Sequence, residues 1–365
     1  MSNALAAVEG GHGGIRHLMI PGPCRLHPRE LAVLGRQIEP HYGPAWMADF
    51  AAVHEDLALL LGADRTYLLP GSGSAGLDAA MFNLFEPGQR VAVVNSGYFG
   101  SRLVDIARAH GLDVRVVECV PGEPVDPARI DLGGCDGLVV THVETATAVR
   151  HPIEELAKLA HASGAVLLVD AIAAAGGEHI DMRAMGVDAL VSASQKGLGA
   201  APGLAVVALS DAGKQRVDAR SVRPPTWYLD LARWEHAATE DDWEPTPVTM
   251  PTSLIQVLAS SLRRIHTVGR ENWVAQRAQL RTECRDGLRR LGFDVVAADE
   301  HAANLVVVAR HPRANELCDR LLDAGVMIAG GLEPFAGETF RVGLVGTSAN
   351  RKLIETLLHE IERIL

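Results

Sequence analysis

Short runs of nearly continuous aliphatic residues alternate with amphipathic stretches over the first two thirds of the chain. The runs fall at 66–69, 90–94, 114–117, 137–141, 166–169, 189–192 and 204–209. Runs that are apolar at almost every position, rather than at every second one, mark strands covered on both faces. Between them, segments such as 101–110 and 153–163 repeat their apolar residues at helical spacing. This alternation predicts an α/β fold with a mostly parallel sheet of about seven strands. Ligands of such sheets lie beyond the carboxyl ends of the strands, so the polar residues that end each run become the candidates for chemistry.

The pattern breaks at 220–251, which holds three of the five tryptophans, several prolines and an acidic cluster. It reads as a long irregular segment, and such segments are usually functional or interfacial. A helical pattern then runs from about Ser253 to Leu291, broken near Gly269, followed by short strands at 294–297, 304–308 and 340–344 and helices at 314–324 and 349–365. The expected division is an N-terminal arm at 1–18, a large domain at 19–265 and a smaller C-terminal α+β domain at 266–365.

Charge narrows the partners. Lys and Arg total 34 against 45 Asp and Glu, a net charge of −11, and the basic residues form no stripe. That balance argues against nucleic acid and against an anionic membrane surface. The five cysteines are scattered without C-x-x-C or framework spacing, which suits a reduced cytoplasmic compartment. The most apolar stretch, 164–177, contains Asp170 and is too short to span a bilayer, and the start of the chain lacks a signal-peptide pattern.

Gly71-Ser-Gly73-Ser-Ala-Gly76 matches G-x-G-x-x-G. A dinucleotide site should also end its second strand in an acidic residue for the ribose, but the run at 90–94 is followed by Asn95 and Ser96. The loop is better read as a cradle for one phosphate at a helix start. Lysine is scarce: Lys158, Lys196, Lys214 and Lys352 are the full set. Lys158 follows Glu154 by four residues, an ordinary surface ion-pair position. Lys196 differs, because it lies where a buried strand gives way to a Gly/Pro loop. It is either a loop lysine reaching solvent or a desolvated amine suited to Schiff-base chemistry. Asp170 ends the run "GAVLLVD", 26 residues earlier. It is either a turn or capping aspartate, or a buried carboxylate that needs a cation.

The stretch "LLVDAIAAAGG…DMRAMGVDALVSASQKGLGAAPGLAVVALS" resembles the cofactor segment of class V aminotransferases dependent on pyridoxal 5′-phosphate (PLP), in particular the alanine–glyoxylate and serine–pyruvate group. "IPGP", "HYGPAW", "PGSGSAGLDAA", "NSGYFGSR", "THVETATAV", "TMPTSL" and "FRVGLVG" follow the family order along the chain. The resemblance implies the PLP-dependent transferase fold type I and the following roles. Lys196 would form the Schiff base and shuttle the proton, and Asp170 would pair with the pyridine nitrogen. Phe99 and Ile172 would pack on opposite faces of the cofactor ring, with Thr145 near its hydroxyl and Glu144 and His142 beside it. Ser72, Gly73, Ser74, Gln195 and a partner subunit's Thr249 would hold the phosphate, which implies a homodimer with shared sites. Arg341 would bind the substrate carboxylate, and Gly22, Tyr42 and Gly43 would line the substrate pocket. No metal is expected. His142 is as well suited to a structural role, and Tyr42 stands where many relatives carry a different, often basic residue.

The implied activity is ping-pong transfer of an amino group from a small amino acid, of the alanine or serine type, to a 2-oxo acid such as glyoxylate or pyruvate. The alternative is a PLP-dependent lyase. A cysteine desulfurase fits less well, since Gln195 stands where desulfurases have histidine and no loop cysteine matches. An NAD-dependent dehydrogenase remains a remote alternative. Ser74, Ala201-Pro202-Gly203 and Thr246 depart from common family residues, which leaves the substrate open.

Overall fold

The computed structural model describes residues 14–240 and 243–365. All seven aliphatic runs enter one sheet as β1 (Arg65–Pro70), β2 (Arg90–Asn95), β3 (Asp113–Glu118), β4 (Gly137–Thr141), β5 (Val166–Asp170), β6 (Ala189–Ala193) and β7 (Leu204–Leu209). Their spatial order is β1-β7-β6-β5-β4-β2-β3. Only β7 runs against its neighbours; the other six strands point the same way. Strands β4, β6 and β7 are buried at every position, which is why their sequences show no polar alternation. From β2 the chain moves outward to the edge strand β3 and then returns to place β4 on the other side of β2. The connections leaving β2 and β4 therefore diverge, and a crevice opens at their carboxyl ends.

Helix α1 (Pro44–Leu61) turns Trp46, Phe50, Val53, Leu57, Leu60 and Leu61 into the core. Helix α2 (Gly73–Leu84) follows β1 and lies across β6 and β7. A Cβ on Gly76 would meet Val191 Cγ1 at 2.8 Å and Ala205 Cβ at 3.1 Å, so the missing side chain is what lets this helix close on the sheet. Helix α3 (Tyr98–Ala109) follows β2. Helices α4 (Thr252–Val268) and α5 (Arg270–Arg290) meet at Gly269, where the sequence pattern breaks.

The C-terminal part builds an antiparallel sheet from β8 (Asp294–Val295), β9 (Val306–Arg310), β10 (Ala329–Gly330) and β11 (Thr339–Gly343), in the order β8-β9-β11-β10. Helices Ala314–Asp323 and Arg351–Ile364 pack with it around a second apolar cluster that includes Leu288, Val307, Leu321, Phe340 and Leu357. Met19 joins that cluster, and His17–Leu18 pairs in parallel with Val326–Met327, so the start of the described chain is stitched to its C-terminal third.

Three local expectations change. The segment 220–251 is not irregular throughout: Leu231–Glu240 is a helix that buries Leu231 and Trp234, and its prolines flank the helix rather than interrupt it. Asp241 and Asp242 of the acidic cluster lie outside the described residues. The strand expected at 304–308 begins at Val306, because Asn304 spends its side chain on Gly177 O (2.9 Å) and Glu178 Oε2 (3.0 Å). Among the described residues Lys158 forms no ion pair with Glu154; Lys214 instead pairs with Asp218 at 2.7 Å. No helix among the described residues is long and apolar enough to cross a membrane.

Gly76→Val should destabilise the protein by about 1–3 kcal/mol through overpacking against Val191 and Ala205. Urea unfolding followed by circular dichroism reads this directly, and an unchanged midpoint would contradict the close approach.

Candidate active site

Strand β6 ends at Ala193, and the chain then folds back on itself. Ser194 Oγ donates to Ala201 O (2.6 Å), and Gly199 N–H donates to Lys196 O (3.0 Å). This tight turn carries Lys196 over the carboxyl end of the sheet. Its Nζ donates to Pro21 O at 2.6 Å, a contact between positions 175 apart in the chain. Gly22 makes the approach feasible: its φ is +108°, and a Cβ there would lie 2.5 Å from Lys196 Cδ. Burial, reinforced by the Arg341 charge, pushes the Lys196 ammonium down to about 8.

Asp170 closes β5 and is buried. Its Oδ1 accepts the Ile172 N–H (2.9 Å), and Oδ2 accepts no hydrogen bond among the described residues. Burial, with a further push from Glu144, raises its pKa to about 7. Lys196 and Arg102 act on it at longer range, but among the described residues it has no ion-pair partner. A carboxylate held this way favours a cation brought by a ligand. Its neighbour His142 is pushed by burial down to about 3 and is therefore neutral, which suits a structural role.

Glu144 is a residue whose importance the sequence barely signals. It is fully buried, and its Oε2 accepts from the N–H groups of Phe99 (2.9 Å) and Gly100 (3.1 Å), while Oε1 accepts from Ala146 (2.9 Å). Helix α3 has glycine at its N-cap and no side-chain cap of its own. Glu144 supplies that cap from another segment and places its carboxyl at the positive end of the helix dipole; burial raises its pKa, and the three N–H groups oppose that rise. Phe99 is thereby tied to the 144–146 turn that also carries the buried Thr145. The sequence places Glu144 beside Thr145; that it caps a helix 45 positions away is a tertiary fact.

The start of α2 supplies the other polar feature. Ser72 is its N-cap and makes no side-chain capping bond, leaving the first turn at Gly73 and Ser74 free to take an anion. A Cβ on Gly73 would meet Ile172 Cδ1 at 2.5 Å, so this helix start lies against the segment after Asp170. The neighbouring Gln195 keeps a buried Oε1 with no partner. Arg341 projects from β11; its Nε donates to Gly330 O (2.8 Å), and its Nη groups make no hydrogen bond among the described residues. Burial lowers its pKa, while the Glu144 charge favours its ionised form.

Among the sequence-predicted positions, Ser72, Ser74, Thr145 and Gln195 flank Gly73, Glu144 and Lys196 along the chain, and the rest divide into two groups. Gly22, Gly73, Phe99, Asp170, Ile172, Lys196 and Arg341 are linked by contacts or fields around one crevice. Tyr42, Gly43 and Thr249 are not part of that web. Tyr42 is exposed and stacks on exposed Trp243 at 6.1 Å, Gly43 N–H donates to Trp243 O (2.8 Å), and Thr249 faces solvent. Pro21 and Arg102 are site residues that sequence reasoning left without a role, and Glu144, expected only beside Thr145, is a helix cap.

A buried strand-end carboxylate, a desolvated lysine in the turn after the next strand and an anion-accepting helix start, on a mostly parallel seven-stranded sheet, define a PLP-dependent enzyme of the aminotransferase class. The chain belongs to the aminotransferase class-V family, whose model matches residues 34–338. It is 28% identical to the alanine–glyoxylate aminotransferase of Callithrix jacchus, over 96% of this chain and 87% of that one. It is 27% identical to the soluble hydrogenase 42 kDa subunit of Anabaena cylindrica, over 93% and 91% of the two chains. The solved alanine–glyoxylate aminotransferase of Nostoc sp. superposes with a TM-score of 0.91 at 28% identity, covering 96% of this chain and 95% of that one.

The residues present fit PLP. Asp170 lacks a cation, the α2 start offers uncapped N–H groups to a phosphate and the Gln195 Nε2 makes no hydrogen bond among the described residues, and Lys196 is an amine of lowered pKa. The same groups make the cofactor-free protein sensitive to pH. The folded pKa of Asp170, about 7, lies above that of an unfolded-chain aspartate, near ~3.9, so its contribution to stability is lost as pH rises from about 4 to about 7. Lys196 is depressed to about 8 from an unfolded value near ~10.4, so its contribution is present above that value and lost as pH falls through the folded pKa. Asp170→Asn should raise the melting temperature of the cofactor-free protein at pH ~8 and flatten its pH dependence below about 7. Thermal unfolding across pH checks both, and a lower melting temperature at pH ~8 would contradict the cost assigned to the buried carboxylate.

Proposed function

We propose that this aminotransferase moves an amino group from a small amino acid of the alanine or serine type to a 2-oxo acid such as glyoxylate or pyruvate, in two half-reactions at one site. The observation that carries the reading is the arrangement of Lys196, lowered to about 8 by burial, beside Arg341 and across from the unpaired Asp170. The alanine–glyoxylate aminotransferases among the relatives support the substrate class.

Bound PLP supplies the electron sink that stabilises negative charge at the substrate Cα. Asp170 provides the negative charge that keeps the ring nitrogen protonated. Ser72, Gly73, Ser74 and Gln195 hold the phosphate, Phe99 and Ile172 pack on the ring, and Thr145 lies near its hydroxyl. Lys196 would hold the cofactor covalently and, as a free base poised near physiological pH, would move the proton at the substrate Cα. Arg341 binds the substrate carboxylate through its two free Nη groups, which fixes the Cα–H bond relative to the Lys196 amine. Gly22 keeps the floor beside Lys196 free of a side chain.

The exposed Tyr42 and Thr249, with the buried Gly43, take part through a homodimer in this reading. The partner subunit's Thr249 completes the phosphate site, and the Tyr42–Gly43 segment reaches the partner's substrate pocket. Their distance from the local web and the exposed aromatic surface of Tyr42, Trp227 and Trp243 favour it. The large unit at 19–265 and the small unit at 266–365 then frame the crevice from two sides, and a reduced cytoplasmic setting fits the five unpaired cysteines.

Purified protein should bind PLP with a visible absorbance that Lys196→Ala shifts or removes, and adding alanine or serine should bleach that absorbance in a single turnover. Release of ammonia and pyruvate without a second 2-oxo acid would instead make the enzyme a lyase. Arg341→Ala should raise the donor KM by roughly 10- to 150-fold, as loss of a charge-assisted carboxylate contact of about 1.5–3 kcal/mol requires. PLP affinity should change far less; the opposite pattern would refute the role given to Arg341.

A further inference from the structure

Arg102 has no part in the reading above, yet it sits at the centre of the aromatic corner that begins α3. Its guanidinium carbon lies 5.0 Å from the ring centroid of Phe99 and 5.1 Å from that of Tyr98. Nη2 donates to the Tyr98 hydroxyl at 3.2 Å, and the two rings meet edge to face at 5.2 Å. Helical spacing produces this arrangement, since positions 98 and 99 lie four and three residues before 102 on one face. One planar cation therefore covers two rings and is itself held by a hydrogen bond. The main chain of Phe99 is already pinned by Glu144, so Arg102 restricts what remains free, the side-chain torsions of the ring.

We propose that Arg102 is a positioning residue that clamps Phe99 from one face and so holds the opposite face ready to stack on the cofactor ring. The inference rests on the proposed role of Phe99 as the stacking platform. A second observation points toward the cofactor: the charge of Arg102 reaches both Asp170 and Lys196, favouring the ionised carboxylate and the neutral amine. The clamp thus faces the same crevice as the two groups that bind PLP at either end. Guanidinium suits this task better than ammonium, because its plane lies flat on a ring while its edge still donates to Tyr98.

The test uses the PLP-loaded enzyme and compares Arg102→Met, Arg102→Lys and Phe99→Ala. The visible circular dichroism of bound PLP reports a fixed asymmetric ring, and a titration gives the PLP dissociation constant. Arg102→Met keeps the bulk of the side chain without the charge. It should raise the dissociation constant about 2- to 30-fold, the range that a cation–π contact supports, and lower the visible ellipticity at an unchanged melting temperature. Arg102→Lys should recover part of both. If Phe99→Ala lowers ellipticity and affinity while both Arg102 variants match the wild type, the clamp is refuted and the platform stands. If Phe99→Ala changes neither quantity, the platform fails and the clamp with it. If Arg102→Met lowers the melting temperature as well, Arg102→Lys decides the matter: wild-type ellipticity and affinity in that variant at a reduced melting temperature would make Arg102 a purely structural helix residue and overturn the proposal.

Discussion

Desolvation of two opposite ionisable groups is the constraint on which the rest of this site depends. Asp170 ends one buried strand and Lys196 lies in the turn three residues past the end of the adjacent parallel strand, so the covered sheet draws the carboxyl fully and the amine partly out of water. The effect has opposite sign for acid and base: the carboxyl rises to about 7 and the ammonium falls to about 8. Neither group is neutralised by the other within ion-pair distance. The fold thus keeps two unfavourable charges available in one crevice, and a cofactor carrying a ring nitrogen and an aldehyde relieves both. Local instability of this kind is common where a site is organised for chemistry rather than for stability.

The second layer of the design is backbone fixation. Glu144 is buried and would be costly if unpaired, yet it accepts three main-chain N–H groups and so binds the turn after β4 to the start of α3. Pro21 and Gly22 approach Lys196 from a segment that the sheet itself does not hold; Met19, just before them, is anchored in the C-terminal apolar cluster. Arg341 arrives from the C-terminal sheet. The crevice is therefore assembled from three distant stretches of chain, and each stretch is secured by hydrogen bonds or burial outside the reacting groups.

Much of the architecture was legible before any coordinates. Seven aliphatic runs became seven strands because residues buried on both faces leave an unbroken apolar signature, and the break at Gly269 marked the junction of α4 and α5. Helix α1 is less legible, because Trp46, Phe50, Val53 and Leu57 keep helical spacing but alternate with alanines and charges behind the "HYGPAW" motif that opens it. The helix Leu231–Glu240 was hidden by the prolines around it. Lys196 and Asp170 stood out because polar residues that end buried strands are few, and scarcity of lysine sharpened the choice. Arg102 and Glu144 did not stand out, because a charged residue in a helix and another after a strand have many ordinary explanations.

The sequence by itself determined the class of fold, the family and the identity of the acid and amine, because those depend on local periodicity and on residue types set at strand ends. Tertiary structure decided everything that depends on which distant groups meet. It brought Pro21 O to the Lys196 amine, set Glu144 on the amides of Phe99 and Gly100, and left Tyr42, Trp243 and Thr249 facing outward. Periodicity records which face of an element is buried but not what it is buried against. Burial against a particular neighbour is what moves a pKa or orients a ring, so the chemistry of the "SQK" and "LLVD" strand ends became specific only once the chain had closed around them.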